Sequence, residues 1–302
     1  PETHAAMITT GSQQGLDLIA RAYINPGDKV VMEAPSYLGA MQVFGLVQAD
    51  IVTVSQTEFG PNLEELEQCF AEQKPKMFYA VPDFHNPTGV CWALETRQKV
   101  AELCIQYNVA FIEDAPYREL RFSGEALPLV SDFCPQHSIV LRSFSKIASP
   151  GLRIGVLTGK SSYLEPLIKI KQGADLHSSV PMQALLHGLL QHDNFETHIC
   201  TICELYKSRY DVMYAELEKQ LPSNCVLKPV DGGMFVWVEI PECDTFELAQ
   251  SLLANGVAVV PSPVFYPEGS EVKAALRLNF TNATPEELKV AVTRLADVLN
   301  AL

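Results

Sequence analysis

The chain has 302 residues and a mass of 33.3 kDa, which is enough for two domains or for one large domain with an extended core. The hydrophobic share of 47% and the charged share of 19% are those of an ordinary globular protein. The net charge of −14 would repel a phosphate backbone, so nucleic acid is not an expected partner of this chain.

The eight cysteines lack the spacing of a metal site or of a disulfide framework. The one suggestive pair, Cys200 and Cys203, falls in a predicted helix without a second Cys or His pair in step with it. We therefore expect free thiols and no metal. No signal peptide and no apolar stretch of membrane-spanning length is present, so we expect a reduced protein of the cytoplasm without a membrane partner.

The chain opens close to a predicted helix of the first domain. Residues 8–14, with the sequence Ile-Thr-Thr-Gly-Ser-Gln-Gln, form the entrance to that helix. Few residues precede them, although an α/β domain of this kind carries further elements upstream. We therefore expect the first domain to be incomplete at its N-terminal end.

Between residues 29 and 159 short apolar runs alternate with helical patterns. Two stretches, residues 16–23 and 100–107, repeat apolar side chains at the i, i+3, i+4 and i+7 spacing of an amphipathic helix. Strand–helix alternation of this kind predicts a mostly parallel sheet covered by helices on both faces. The six predicted buried strands are Val30–Met32, Ile51–Val54, Met77–Val81, Ala110–Ile112, Ile139–Leu141 and Ile154–Leu157.

After about residue 160 the pattern changes. Residues 161–221 are predicted to be helical, with breaks near Pro181 and Asn194. A smaller domain that mixes strands and helices follows from this pattern. Its predicted strands are a pair within residues 226–240, turning at 231–233, and two short strands at 257–261 and 274–280.

The last helix has a complete start signal. Thr284 is placed as N-cap, Pro285 as the first helical residue, and Glu287 completes a capping box. The expected fold is therefore α/β, with a large domain over residues 1–190 and a smaller C-terminal α+β domain over residues 191–302.

The segment from Ser143 to Arg153 carries the most informative chemistry. Lys146 supplies an amine that can attack a carbonyl group, while Ser143, Ser145 and Arg153 supply hydroxyls and a guanidinium that suit a phosphate. The alternative is a structural surface turn, because Ser-x-Ser-Lys alone is a weak signal.

Two further segments place polar groups at predicted strand or helix ends. Ser12 and Gln13 open a helix, whose free N–H groups and dipole favour an anion; the alternative is that Ser12 only caps the helix. Tyr37 follows a strand at the carboxyl edge of the sheet, where open α/β sheets bind ligands; the alternative is packing.

Asp114 ends an apolar strand, where a carboxylate is costly unless it has a positive partner. An N-cap or a salt bridge is the alternative, and Tyr117 follows three residues later. Asn86 begins an Asn-Pro-Thr-Gly segment after another strand, which on its own is a plain turn. The preceding His85 is interpreted as a residue at the rim or in solvent.

Arg277 lies within an apolar strand. A buried guanidinium needs a carboxylate, which its fork binds in bidentate fashion. That carboxylate belongs either to a ligand or, in the alternative, to an internal glutamate. The segment Gly232–Phe235 is interpreted as structural.

In their order along the chain, these motifs resemble those of the fold-type I pyridoxal-phosphate aminotransferases of class I/II. The resemblance covers residues 8–302 and is closest to the α-aminoadipate, kynurenine and aromatic aminotransferase subgroup. It implies the fold of the pyridoxal-phosphate transferases, pyridoxal 5'-phosphate as cofactor, and a homodimer.

The resemblance also implies roles for the site residues. Lys146 holds the cofactor as a Schiff base and moves the substrate proton, Tyr37 stacks on the pyridine ring, and Asp114 pairs with the ring nitrogen. Asn86 and Tyr117 bind the phenolic oxygen, and Asn86 and Arg277 bind the substrate carboxylate. The residues assigned to the phosphate are Ser12, Gln13, Ser143, Ser145 and Arg153, and those assigned to catalysis are Lys146, Asp114 and Tyr117.

The expected reaction moves an amino group from an aromatic, 2-aminoadipate-like or similar amino acid to a 2-oxo acid, with 2-oxoglutarate as the expected acceptor. One alternative is the ligand-sensing domain of a MocR/GntR-type transcriptional regulator, in which the same domain follows a winged-helix module. Asn86 favours the enzyme, because a sensor has less need of a substrate anchor. A β-lyase with the same cofactor is a further alternative.

Overall fold

Two β-sheets organise the protein, whose computed structural model describes residues 3–301. The first sheet has eight strands and the second has four. The strands of the first sheet are β1 (His4–Thr9), β2 (Lys29–Ala34), β3 (Asp50–Thr57), β4 (Gly60–Pro61), β5 (Met77–Ala80), β6 (Ala110–Asp114), β7 (Ser138–Ser143) and β8 (Gly155–Lys160).

The order of the first sheet is β1-β8-β7-β6-β5-β2-β3-β4. Its five central strands, from β7 to β3, are parallel, while β4, β8 and β1 pair in antiparallel fashion. The predicted mostly parallel sheet is confirmed. The strand β1 lies where the sequence predicted only the approach to a helix, because its pairing partner β8 is about 150 residues away and leaves no local signal.

Helices cover both faces of this sheet, as predicted. The side chains of β5 point alternately to the two faces, and both faces are apolar. Met77 and Tyr79 belong to one apolar core, whereas Phe78 and Ala80 belong to another on the opposite face. The helices of this part are α1 (Gly11–Tyr23), α2 (Leu38–Leu46), α3 (Leu63–Gln73), α4 (Leu94–Tyr107), α5 (Val130–Phe133) and α6 (Ser161–Asp175).

The C-terminal part contains the four-stranded antiparallel sheet, in the order β11-β12-β10-β9. Its strands are packed against the two longest helices of this part. The elements are α7 (Val180–Leu190), α8 (Phe195–Gln220), β9 (Val226–Leu227), β10 (Phe235–Glu239), α9 (Thr245–Ala254), β11 (Val260–Pro261), β12 (Ala275–Asn279) and α10 (Pro285–Asn300), with short 3-10 helices at Pro150–Leu152 and Ser262–Phe265.

The helix α8 joins the two parts. Near its start Phe195 and Ile199 pack on the core of the large sheet, while Met213 and Leu217 belong to the core of the small sheet. Its 26 residues correspond to about 39 Å. A division of the chain at residues 190 and 191 stays a prediction, since α8 contributes to both cores.

The start of α10 agrees with its predicted capping box. The backbone N–H of Glu287 donates to Thr284 Oγ1 at 3.3 Å, and the backbone N–H of Thr284 donates to Glu287 Oε2 at 2.8 Å. The apolar stripe of the helix, which includes Leu288 and Leu295, is buried against the small sheet.

Among residues 3–301, no helix is both long enough and apolar enough to cross a membrane. In the same range no group of three or more His, Cys, Asp and Glu side chains could hold a metal ion. The eight cysteines are free, and Cys200 is exposed. The cytoplasmic location stays a prediction.

Candidate active site

A pocket of about 430 Å³ lies where the carboxyl ends of the parallel strands meet β10 and β12 of the small sheet. Every predicted site residue lies in its wall, although these residues are spread over most of the chain. They are Ser12, Gln13, Tyr37, Asn86, Asp114, Tyr117, Ser143, Ser145, Lys146, Arg153 and Arg277.

One end of the pocket is formed by the start of α1. Thr10 precedes the helix and makes no capping hydrogen bond with its side chain within the described chain. Ser12 is the second helical residue, so the alternative in which it caps the helix is wrong. Gln13 is held from both sides, since its Nε2 donates to Gly39 O at 3.0 Å and its Oε1 accepts from Tyr37 Oη at 3.3 Å. The uncapped helix start can therefore bind an anion.

Arg153 closes over this helix start. It has a left-handed backbone, with φ of 51°, directly after the short helix Pro150–Leu152. A Cβ atom on Gly11 would lie 2.6 Å from Arg153 Nη2, and one on Gly155 would lie 2.7 Å from the carbonyl carbon of Gly11. Glycine at both positions therefore lets the guanidinium and β8 approach the helix, which concentrates positive charge there.

Lys146 lies three residues beyond the end of β7. The backbone N–H of Ser145 donates to Ser143 Oγ at 3.3 Å, which shapes the turn that leads to the lysine. Burial lowers the pKa of Lys146, and the positive charges of Arg277 and Arg153 lower it further. A lowered pKa increases the fraction of neutral amine, the form that attacks a carbonyl group or accepts a proton.

Asp114 is the last residue of β6 and is 4% exposed. Tyr79 Oη donates to its Oδ2 at 2.8 Å, while its Oδ1 is buried without a hydrogen-bond partner among the described residues. Burial raises the pKa of Asp114 to about 7, against the opposing effect of the Tyr79 hydrogen bond. The N-cap and salt-bridge alternatives are wrong, because Asp114 caps no helix and pairs with no cation in residues 3–301.

Arg277 reaches the pocket from β12. Its Nη1 donates to Asn86 Oδ1 at 2.9 Å, and its guanidinium lies over the rings of Phe235 and Phe265, at 4.3 and 5.2 Å from their centroids. No acidic side chain of residues 3–301 forms a salt bridge with it, so the alternative of an internal salt bridge is wrong. Burial lowers its pKa, and a carboxylate ligand would offset that cost.

Two tyrosines complete the wall. Tyr117 is buried and meets Phe235 edge-on at 5.9 Å, and Tyr37 is half-buried beside Gly39. Burial raises the pKa of both phenols, with the charge of Asp114 as a further cause. Both are therefore neutral hydrogen-bonding groups at physiological pH.

The interpretation of His85 as a rim or solvent residue is wrong. It is 1% exposed, and its Nδ1 lies 3.0 Å from Thr88 Oγ1, within the turn that carries Asn86. Burial lowers the pKa of His85 to about 3, so the ring is neutral. It lies 4.0 Å from Glu33, whose pKa burial raises to about 8, and it supports the turn from inside.

Sequence reasoning missed the two rings beneath Arg277 and the tyrosine behind Asp114. Phe235 lies in the glycine-containing segment 232–235, whose pattern indicates only a structural role, and Phe265 lies 12 residues before Arg277 in a short 3-10 helix. Tyr79 did carry a signal, since a phenol inside an apolar strand needs a buried acceptor. The identity of that acceptor depends on strand order.

The sequence matches the family described as aminotransferase class I and II over residues 2–295. Aromatic-amino-acid aminotransferase 1 of Thermococcus litoralis is 37% identical over 300 residues, which cover 97% of this chain and 72% of that protein. The chain belongs to the aminotransferase class I and II family.

Two solved structures are similar along nearly the whole chain. Pyrococcus horikoshii kynurenine aminotransferase, in complex with PMP, has a TM-score of 0.96 and 35% identity, covering 100% of this chain and 76% of that one. The α-aminoadipate aminotransferase of Thermus thermophilus, complexed with N-(5'-phosphopyridoxyl)-L-leucine, has a TM-score of 0.94 and 34% identity, covering 98% and 77%. The expected subgroup, the fold and the pyridoxal-phosphate-dependent aminotransferase activity are confirmed.

The stability of the cofactor-free protein is expected to report on Asp114. The pKa of Asp114 is about 7 in the folded protein and about 4 in the unfolded chain. Its favourable contribution to the free energy of unfolding is therefore complete below pH 4 and is lost as the pH rises to about 7. Asp114→Asn removes this titration. In urea unfolding, the free energy of unfolding of the variant should rise relative to that of the wild type between pH 5 and pH 8, by on the order of 2 kcal/mol or more.

The control is Asp193→Asn, which removes an exposed carboxylate. Its stability difference from the wild type should be small. A constant difference for Asp114→Asn across the same pH range would contradict the assigned burial of this carboxylate.

Proposed function

We propose that this pocket is the site of transamination, with the predicted residues in the roles given below. One observation carries the proposal. Three ionisable side chains without a charged partner in residues 3–301, those of Lys146, Asp114 and Arg277, line the same pocket. Groups of this kind are costly to bury, so their convergence favours a ligand that compensates each of them.

Pyridoxal 5'-phosphate fits this donor set. The uncapped start of α1, Arg153 and the Ser143 and Ser145 hydroxyls would hold its phosphate. The unpartnered Oδ1 of Asp114 would accept from its ring nitrogen. When bound, the cofactor supplies an electron sink for the carbanion formed at the substrate Cα.

Lys146 moves the proton in this proposal. As a neutral amine its Nζ would take the proton from the substrate Cα, and as an ammonium it would give that proton back on the cofactor side. Its lowered pKa supports the first step, because a protonated amine cannot act as a base. Asp114 would hold a proton on the ring nitrogen, and Tyr37 would stack on the ring.

Asn86 and Tyr117 face the phenolic oxygen of the cofactor in this proposal. The Oδ1 of Asn86 accepts from Arg277, which leaves its Nδ2 to donate. The same Arg277 contact places a guanidinium beside the position of the substrate. Asn86 thus contacts the cofactor oxygen through one side-chain atom and the substrate-binding Arg277 through the other.

Arg277 anchors the α-carboxylate of both substrates. Its fork can bind a carboxylate in bidentate fashion, and Phe235 and Phe265 hold its plane. The names of the relatives support an aromatic, kynurenine-like or 2-aminoadipate-like donor. We propose 2-oxoglutarate as the acceptor, which presents the same carboxylate to Arg277.

A second copy of the chain covers α7 in this proposal. Of its eleven residues only Leu186 is buried, whereas Val180, Leu185 and Leu189 are exposed beside an apolar groove that reaches Ile8. An uncovered apolar surface of this kind favours association. A homodimer with two-fold symmetry would bury it on both subunits.

Lys146→Ala tests the proposed covalent role. The variant should lose the visible absorbance of the lysine-bound cofactor, and turnover should fall by roughly a thousandfold or more, because both the attachment point and the base are removed. Absorbance spectra and a transamination assay provide the measurement. Lys169→Ala, at an exposed lysine, is the matched control and should behave as the wild type. Retained absorbance in Lys146→Ala would mean that another lysine binds the cofactor.

Arg277→Lys tests the carboxylate anchor. Loss of the fork should lower kcat/KM for the amino acid and for 2-oxoglutarate by about 100-fold, mainly through KM, while the cofactor spectrum is unchanged. An amine substrate that lacks an α-carboxylate is the control, since its kcat/KM should change little. Equal losses for the amine and the amino acid would show that Arg277 does not bind the carboxylate.

Leu185→Glu tests the dimer. Because Leu185 is 58% exposed on α7, a charge there should not disturb the fold of one subunit but should oppose its burial against another. Sedimentation velocity should show a dimer for the wild type and at least a tenfold weaker association for the variant. Leu253→Glu, at a leucine that is 64% exposed on α9, is the control and should remain dimeric. A wild-type protein that is monomeric at micromolar concentration would overturn the proposal.

A further inference from the structure

Tyr79 is the one described residue that donates a hydrogen bond to the carboxylate of Asp114. The phenol is fully buried, and its Oη lies 2.8 Å from Asp114 Oδ2. Phe44 packs edge-on against its ring at 6.2 Å. No other acceptor in residues 3–301 is bonded to this hydroxyl. The contact therefore joins a rigidly packed donor to one oxygen of the carboxylate and leaves the second oxygen free.

The pairing of β5 with β6 places these two side chains together. Tyr79 is in register with Ile112 in the parallel ladder, and Asp114 follows Ile112 by two residues. Residues at i and i+2 share a face of the sheet, so Tyr79 and Asp114 are diagonal neighbours on the face towards α2. Glu113 points to the other face, where it accepts from the backbone N–H groups of Val130 and Ser131.

We propose that Tyr79 is a positioning residue for the cofactor ring: its hydroxyl fixes the Asp114 carboxylate with Oδ1 towards the ring nitrogen and keeps the shared proton on that nitrogen. This inference rests on the proposed role of Asp114. A hydrogen bond at Oδ2 restricts rotation of the carboxyl group, so the remaining oxygen has a defined direction.

Two bases compete for one proton when the cofactor is bound. The ring nitrogen and the Asp114 carboxylate share one proton, which resides on the stronger of the two bases. Burial raises the pKa of Asp114 to about 7, and the hydrogen bond from Tyr79 opposes that effect. Without the phenol, the carboxylate would be a stronger base and would draw the proton from the ring. A ring without this proton is a weaker electron sink.

The other ionisable groups that face Asp114 do not replace Tyr79 in this role. They are Tyr37 and Tyr117, both of which line the pocket and have pKa values raised by burial. As neutral phenols on the ligand side, they lie in the pocket wall rather than behind the carboxylate. The buried side of Asp114 is thus defined by Tyr79 alone among the described residues.

Tyr79→Phe tests the inference in the holoenzyme loaded with cofactor labelled with ¹⁵N at the ring. The phenylalanine keeps the ring packing and removes only the donor. The ¹⁵N resonance should move from the pyridinium position towards that of neutral pyridine, and the half-reaction with a donor amino acid should slow by about 10- to 100-fold, with kcat affected more than KM. Tyr23→Phe is the matched control, since it removes a hydrogen bond from a phenol to Tyr163 O at the far end of α1. It should leave the resonance unchanged.

A second variant keeps the test independent of any loss of folding. Tyr79→3-fluorotyrosine retains the hydroxyl and makes it a stronger donor, so the resonance should stay at the pyridinium position. An unchanged resonance in Tyr79→Phe, or an equal shift in both variants, would overturn the inference.

The variant Asp114→Asn separates the two proposals. If it shifts the ¹⁵N resonance whereas Tyr79→Phe does not, the role of Asp114 stands and that of Tyr79 is wrong. If Asp114→Asn leaves the resonance in place, the proposed pairing of Asp114 with the ring nitrogen fails, and the inference about Tyr79 fails with it.

Discussion

The parallel register of β5, β6 and β7 is the constraint on which the rest of the site depends. Three strands that run in the same direction end at the same edge, and each delivers a polar group there: Asn86 after β5, Asp114 at the end of β6, and Lys146 after β7. A slip of one residue in β6 would turn Asp114 towards the opposite face and away from Tyr79. The register of the sheet therefore sets the positions of the polar groups in the pocket.

The small sheet supplies the candidate substrate-binding group of the pocket. The groups from the large sheet can hold a cofactor, but the candidate anchor for a substrate carboxylate, Arg277, comes from β12. Its hydrogen bond to Asn86 crosses from one sheet to the other and spans 191 positions in the sequence. Stacking on Phe235 and Phe265 lets this charge stay half-buried without a carboxylate, at a cost that a bound substrate would offset.

Much of the architecture followed from local patterns. The six buried runs correspond to strands of the large sheet, and the capping box marked the start of α10 correctly, because both signals are contained within a few residues. The strand β1 was missed because its pairing with β8 is non-local. The same reason explains His85: the sequence shows a polar residue before a turn, and only the fold shows that Glu33 and Thr88 enclose it.

The polar groups of the site could be named from the sequence, since charged residues at the ends of apolar strands are conspicuous. The partners of these groups could not be named from the sequence. That Asp114 meets a phenol from β5, or that Arg277 lies on two aromatic rings, depends on strand order and register. Burial, which the fold sets, is the largest cause of the pKa shifts of Asp114 and Arg277. Position in the sequence therefore identifies candidates, while the fold determines their chemistry.

The close approach of Arg153 to Gly11 has a consequence for sequence variation in related proteins. Residue 11 has a φ of 76°, and a methyl group there would fall 2.6 Å from Arg153 Nη2, so a side chain at this position would strain the backbone and push the guanidinium aside. A relative with a side chain at the position of Gly11 would therefore hold the guanidinium in a different place, or would carry a different residue at the position of Arg153. Covariation between these sites would thus record the shape of an anion-binding cradle, even in sequences for which no structure exists.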